Sequence, residues 1–160
     1  MPLALAVLTY AFAMVAANLS VAAFGPWVTP LNAFLLIGLD LALRDWLHVR
    51  LRLGQMAALI AVSGALTYGL NPAAGMVAIA SASAFTLAAI ADWSVFSVVK
   101  GSWLKRANAS NVAGAAVDSL VFPTIAFGAL LPHIVAMQFV AKVAGGALWA
   151  VLLQRLRPGS

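Results

Sequence analysis

Six polar side chains stand in stretches of sequence that are otherwise almost wholly apolar: Asn18, Asp40, Asp92, Asp118, Gln138 and Lys142. Charge in such surroundings must be paired, neutralised or put to use, because an apolar medium cannot replace its hydration. Asp40 and Arg44 are four residues apart and can form an ion pair along one helix face. Alternatively, Asp40 or Asp118 meets Lys142 across a helix bundle, since Lys142 has no acid within a turn on its own segment. Asn111, Ala115, Asp118, Phe122 and Ile125 fall on one helical stripe, setting a carboxylate beside an aromatic ring. Gln138, Lys142, Gly145 and Trp149 form a second. Pro123 has no N–H to return to Ser119 and so frees a carbonyl near Asp118. A carboxylate, an ammonium, an amide and a ring together can bind a small polar molecule.

Catalytic patterns are missing. There is no cysteine, which excludes thiolate nucleophiles, disulfides and Cys-ligated metals. No G-x-x-x-x-G-K-[ST] or G-x-S-x-G motif occurs. His48 and His133 fall at segment ends, as interface residues rather than as a metal-ligating pair. The chain is expected to be neither an enzyme nor a holder of metal or cofactor.

The elements that position these side chains follow from composition. Of 160 residues, 64% are hydrophobic and 8% charged, against about 25% charged in a soluble domain. A soluble fold of this length has too little interior for so much apolar surface. Disorder is excluded too, since disordered chains are poor in hydrophobics. The net charge of +5 does not signal nucleic acid binding, because the basic residues lie in short groups between apolar runs. A single all-α domain over residues 1–160, in a lipid bilayer, is expected.

Spans of roughly 20 apolar residues are predicted over Leu3–Phe24, Leu31–Leu47, Met56–Leu70, Ala73–Val99, Val112–Leu131 and Ile134–Leu153. Thr29 is the expected N-cap of the second, with Pro30 in its first turn. Lys100 to Asn111 reads as a polar loop. Apart from Lys142 within the sixth span and Arg44 near the end of the second, basic residues fall in the second and fourth connections and the tail, at Arg50, Arg52, Lys100, Lys105, Arg106, Arg155 and Arg157, and the other three connections hold none. Six spans with both termini cytoplasmic put all of these on one side, as the positive-inside rule asks. Trp27, Trp46, Trp93 and Trp103 read as interfacial aromatics. Ala13-x-x-x-Ala17 and Ala74-x-x-x-Ala78-x-x-x-Ala82 read as close-packing faces. At ~1.5 Å per residue, Asp40 and Lys142 lie about 13–15 Å from the outer face, and Asp118 about 10 Å from the inner one.

The run Arg106-x-x-x-Ser110-Asn111, Val117-Asp118-Ser119, Phe122 and Ile125-Ala126-Phe127-Gly128 resembles the vitamin-uptake-transporter family, whose characterised members carry queuosine precursors. Asn18 in the first span, Asp40 in the second and Lys142 in the sixth match that family's asparagine, aspartate and lysine. The chain departs from it at Arg44-Asp45-Trp46, where many members have a glutamate and Tyr-Gly, and at Ala115, where many have glutamine. The resemblance implies the fold of energy-coupling-factor substrate-binding subunits, and a multi-pass protein of a prokaryotic cytoplasmic membrane. It implies a 7-deazapurine substrate such as 7-cyano-7-deazaguanine, bound by Asn18, Asp40, Asp118, Phe122, Gln138, Lys142 and Trp149. Arg44, Asp92, Arg106 and Asn111 are expected to form a surrounding charge network. Two other functions fit the sequence. One is a binding subunit that docks on a separate ATPase module through Ala13-x-x-x-Ala17. The other is a membrane scaffold with no ligand. A homo-oligomer is left open.

Overall fold

The computed structural model describes residues 1–155, without the side chain of His48. Arg157 and Pro158, expected in the basic tail, lie outside the described residues. Six helices are long and apolar enough to cross a membrane: α1 (Leu3–Phe24), α2 (Pro26–Leu47), α3 (Leu53–Leu70), α4 (Pro72–Val98), α5 (Trp103–Phe127) and α6 (Pro132–Gln154). The all-α membrane architecture expected from composition is therefore the one observed. The described residues contain no strand.

Sequential packing gives a closed ring. α1 packs on α2, α2 on α6, α6 on α5, α5 on α4, α4 on α3 and α3 back on α1. The second half of α2 also reaches α4 and α5. Residues 40–47 are buried without a break. Eight consecutive buried positions cover more than two turns of helix, so this segment is surrounded on every side. It carries two of the chain's four acids, Asp40 and Asp45, into the bundle and sets Asp45 against Asp92 of α4. An amphipathic pattern is not needed to orient such a helix, because it has no lipid face.

Two segments differ from their sequence-based bounds for identifiable reasons. α5 begins at Trp103, nine residues before the predicted start at Val112. Ser102 caps it by accepting from the Lys105 amide at 3.3 Å, and Ala107, Ser110 and Asn111 are buried against the bundle. From Trp103 on the polar stretch is thus helix, not loop, with Ser110 and Asn111 facing inward and Lys105 outward. α2 begins at Pro26 with a short 3-10 turn. Thr29 is then inside the helix rather than capping it, and its hydroxyl donates to the Pro26 carbonyl at 2.7 Å. Trp46, expected at an interface, is 1% exposed. It lies under Arg50, whose guanidinium sits 3.6 Å from the ring centre.

Between Asn32 and Gly38, α2 widens into a π-helical turn over Ala33–Ile37. Wide turns of this type displace the backbone and recur at functional sites. Here the displaced backbone lies directly on α6. A Cβ placed on Gly145 would sit 2.1 Å from the Phe34 carbonyl oxygen, and one on Gly38 would sit 2.7 Å from the Gly145 carbonyl carbon. Glycine is required at both positions by close approach, not by backbone dihedrals. The Trp149 indole N–H donates to the Leu35 carbonyl at 3.0 Å, an oxygen in the same wide turn. The contact fixes α6 against α2 and so sets where Gln138 and Lys142 enter the bundle.

Candidate functional site

Lys142 is 1% exposed on the inner face of α6, and Asp118 is 2% exposed on the facing side of α5. Their charged groups meet at 2.6 Å, from Lys142 Nζ to Asp118 Oδ2. The Lys142 ammonium also donates to Gln138 Oε1 at 2.8 Å and to Ser119 Oγ at 3.3 Å. Its three protons therefore have three acceptors. Of the two pairings open to Lys142 from the sequence, the structure realises the one with Asp118. Asp40 is paired locally, its Oδ2 accepting from Arg44 Nη2 at 3.0 Å.

The lysine holds one atom of each neighbour and leaves the other. Asp118 Oδ1 and Gln138 Nε2 are both buried, and neither has a hydrogen-bond partner among the described residues. One is an acceptor and the other a donor, on adjacent helices and on groups held by the same ammonium. Both residues line a pocket with Asn18, Thr29, Asn32, Ser81, Phe85, Phe122 and Lys142. Val21, Ala17, Ala33 and Ile37 complete its apolar wall. The pocket lies towards the end of the bundle that carries the Pro26, Pro72 and Pro132 connections, away from the basic loops.

Asn18 anchors the far side. Its amide nitrogen donates to Thr67 Oγ1 at 3.3 Å, and its amide oxygen accepts from the Ser81 hydroxyl. Thr67 in turn donates to the Ser63 carbonyl at 3.0 Å. α1, α3 and α4 are thereby joined through one side chain. Asn32 crosses from α2 to α1, donating to the Ala17 carbonyl at 3.2 Å and to Ser20 Oγ at 2.7 Å. The cavity left among these groups is about 20 Å3, room for about one water molecule.

Five residues expected at a binding site line this one pocket: Asn18, Asp118, Phe122, Gln138 and Lys142. Asp40 and Trp149 do not. Asp40 sits deeper on α2, towards the basic loops, and Trp149 lies on the outside of the α2–α6 contact. Asn32, Ser81 and Phe85 also line it, without having been expected. Asn32 was visible as a buriable amide just inside the second span. Ser81 and Phe85 had no distinguishing mark in an Ala-rich helix.

The expected charge network divides. Arg44 and Asp92 line a second, deeper cavity with Leu51, Leu53, Met56, Ala89 and Trp93. Arg106 is not part of it. Its Nε and Nη2 donate to the Phe96 carbonyl at 3.1 and 2.9 Å, and its guanidinium stacks 4.1 Å from the Phe96 ring centre. Arg106 thus closes the last turn of α4, where a cation suits the helix dipole. Asn111 is buried with its amide facing Gly146 of α6, where an added Cβ would lie 3.2 Å from the amide nitrogen. Asp45, which the sequence reading passed over, accepts from Ser110 of α5 at 2.8 and 3.0 Å.

No curated protein and no solved structure is detectably similar to this chain. Residues 3–154 match the family described as "Putative vitamin uptake transporter". That match covers six membrane-spanning helices and every residue of the pocket, and the chain accordingly belongs to this family of vitamin uptake transporters.

Proposed function

We propose that the protein imports a queuosine precursor, 7-cyano-7-deazaguanine or a related 7-deazapurine base, across a prokaryotic cytoplasmic membrane. The observation that carries this reading is the unpartnered pair Asp118 Oδ1 and Gln138 Nε2. A guanine-like edge presents N–H donors beside a carbonyl acceptor. Asp118 accepts from the former and Gln138 donates to the latter, while Lys142 holds both in register. Charge-assisted bonds of this kind are shorter and stronger than neutral ones. Phe85 and Phe122 supply apolar faces for a flat ring. The present cavity is far smaller than a base, so binding requires these rings to swing aside or α2 to part from α5 and α6. The partners in this reading are the base and the bilayer, with no nucleic acid, metal or cofactor.

The reading as an energy-coupling-factor binding subunit is less well supported. Its docking face was to be Ala13-x-x-x-Ala17, and these residues are 0% and 4% exposed. They pack inside the bundle and cannot meet a separate module.

The test is uptake of labelled base into a host that lacks both precursor synthesis and any energy-coupling module. Expression of the protein should restore queuosine in tRNA. Asp118→Asn should insert normally and lose uptake, because the amide offers one acceptor oxygen where the carboxylate offers two, and carries no charge. Losing one partner of a buried charge-assisted pair costs about 2–5 kcal/mol, roughly 30-fold or more in affinity. Uptake by Asp118→Asn at the unaltered level would refute the role given to Asp118. No binding of any deazapurine by the purified protein would favour a scaffold.

A further inference from the structure

All four acids of the chain are buried, at 0–2% exposure: Asp40, Asp45, Asp92 and Asp118. Two bases are buried with them, Arg44 and Lys142. Each base has an acid of its own. Lys142 holds Asp118 at 2.6 Å, and Arg44 holds Asp40 at 3.0 Å. Arg106 is turned to the Phe96 carbonyl. Asp45 and Asp92 are therefore left to one another in the centre of the bundle, on α2 and α4, within hydrogen-bonding reach. Two carboxylates cannot both stay ionised in contact in a medium of low polarity.

The donors nearby do not resolve this. Ser110 has one hydroxyl proton and three oxygens within reach of it, the two of Asp45 at 2.8 and 3.0 Å and the Ala107 carbonyl of its own helix at 3.0 Å. Both oxygens of Asp92 are buried and, although Ser110 also faces them, neither makes a hydrogen bond among the described residues. The groups facing the pair are Arg44 and Asp40 from α2 and Tyr10 from α1. α3 contributes Leu53 and Met56 to the adjoining cavity, with no ionisable group. α5 contributes Ser110, and the lysine of α6 is committed to Asp118. A proton shared between the carboxyls supplies the one missing donor and removes one of the two charges.

We infer that Asp45 and Asp92, with the Ser110 hydroxyl, form a binding site for one proton, separate from the substrate pocket and linked to it through Arg44. The cavity of about 30 Å3 beside Arg44 and Asp92 reaches towards Leu51 of the α2–α3 connection and Leu53 at the start of α3, on the basic-loop side. It has room for about two water molecules, a short route between the site and that surface. Two Arg44 nitrogens, Nε and Nη1, make no hydrogen bond among the described residues. Its guanidinium lies 5.5 Å from the ring centre of Phe85, a wall of the pocket above. Loss of the proton leaves two negative charges that draw Arg44 away from Asp40 and from Phe85. Proton occupancy below and pocket shape above are thus joined by one side chain. That proton movement drives uptake rests on the transport reading; the site itself does not.

The experiment is infrared spectroscopy of the purified, substrate-free protein in lipid at neutral pH, reading the carbonyl stretch of a protonated carboxyl. The wild type should show this band. Asp45→Asn and Asp92→Asn should each lose it, since the remaining acid then ionises beside Arg44. Asp118→Asn should keep it. Ser110→Ala retains both acids and should shift the band, which decides the matter if the aspartate variants do not fold. Replacing sodium by choline should change nothing. Absence of the band in the wild type, its persistence in Asp92→Asn, an unshifted band in Ser110→Ala, or a band governed by sodium would each overturn the proposal. None of these results depends on substrate, so they leave the transport reading to its own test.

Discussion

Replacing Lys142 by methionine removes a buried cation and keeps most of its volume. Three contacts disappear together: the 2.6 Å ion pair to Asp118 and the bonds to Gln138 and Ser119. Asp118 then has no other base beside it. Arg44, the remaining buried cation, is engaged with Asp40. Breaking a buried pair by removing one partner costs about 3–5 kcal/mol, chiefly through the charge left behind. For a chain of this size that is on the order of 10 °C in melting temperature. The assay is a thermal-shift cycle on detergent-purified wild type, Lys142→Met, Asp118→Asn and the double variant. The double variant carries no stranded charge. It should recover most of the lost stability, because replacing both partners of a buried pair is often close to neutral. Binding should stay absent, since neither Asp118 nor the ammonium that orients it is present. A Lys142→Met protein within about 1 kcal/mol of wild type would refute the reasoning, for that is the range of an exposed ion pair. A double variant no more stable than Lys142→Met would show that the loss comes from packing around the lysine and not from charge.

Three further outcomes follow from the fold. Gly145→Ala should abolish folded yield in a membrane-extraction assay, since its Cβ would lie 2.1 Å from the Phe34 oxygen, while Gly54→Ala, with nothing within 4 Å of its Cβ, should be neutral. Asn18→Leu should lower the melting temperature by several degrees in the same thermal-shift assay, because it strands the Ser81 hydroxyl that donates to its amide oxygen and removes the bond its amide nitrogen makes to Thr67. Reporter fusions at Pro26 and Asn71 should score as external and fusions after Arg50 or Lys100 as cytoplasmic, because every basic connection lies at the other end of the helices.

The spans were legible in the sequence because the bilayer imposes a length and an apolar composition that survive in any single chain. α1 begins and ends where hydropathy put it. The start of α5 did not follow hydropathy, since the method treats Ser110 and Asn111 as solvent-seeking, and both point inward. Asp45 was hidden for a related reason. It stands between Arg44 and Trp46 near a span end, where a charge ordinarily reaches for water. Its partner Ser110 lies 65 positions further along the chain.

The pocket was legible in proportion to what burial costs each residue. An aspartate or lysine in a span demands an explanation, so Asp118 and Lys142 could be singled out from sequence alone. A hydroxyl demands none, because it can donate to its own helix. Ser63, Thr67, Thr86, Ser94 and Thr124 all bond the carbonyl four residues back. Ser81 and Ser110 instead reach side chains on other helices, and nothing in the sequence separates them from the first five. The two serines mark the two sites. Ser81 holds the amide of Asn18 at the pocket, and Ser110 holds the carboxyl of Asp45 at the acid pair. Ser81 turns from its own backbone to the Asn18 amide, whereas Ser110 reaches the Asp45 carboxyl while staying within 3.0 Å of the Ala107 carbonyl on its own helix. The wide turn of α2 shows the same limit from another direction. Ala33 to Ile37 carries no residue peculiar to it, and its sole trace in the sequence is glycine at Gly38 and Gly145, where two backbones meet. What places Lys142 opposite Asp118 is therefore written less in the charged residues than in the glycines that let α6 come close enough.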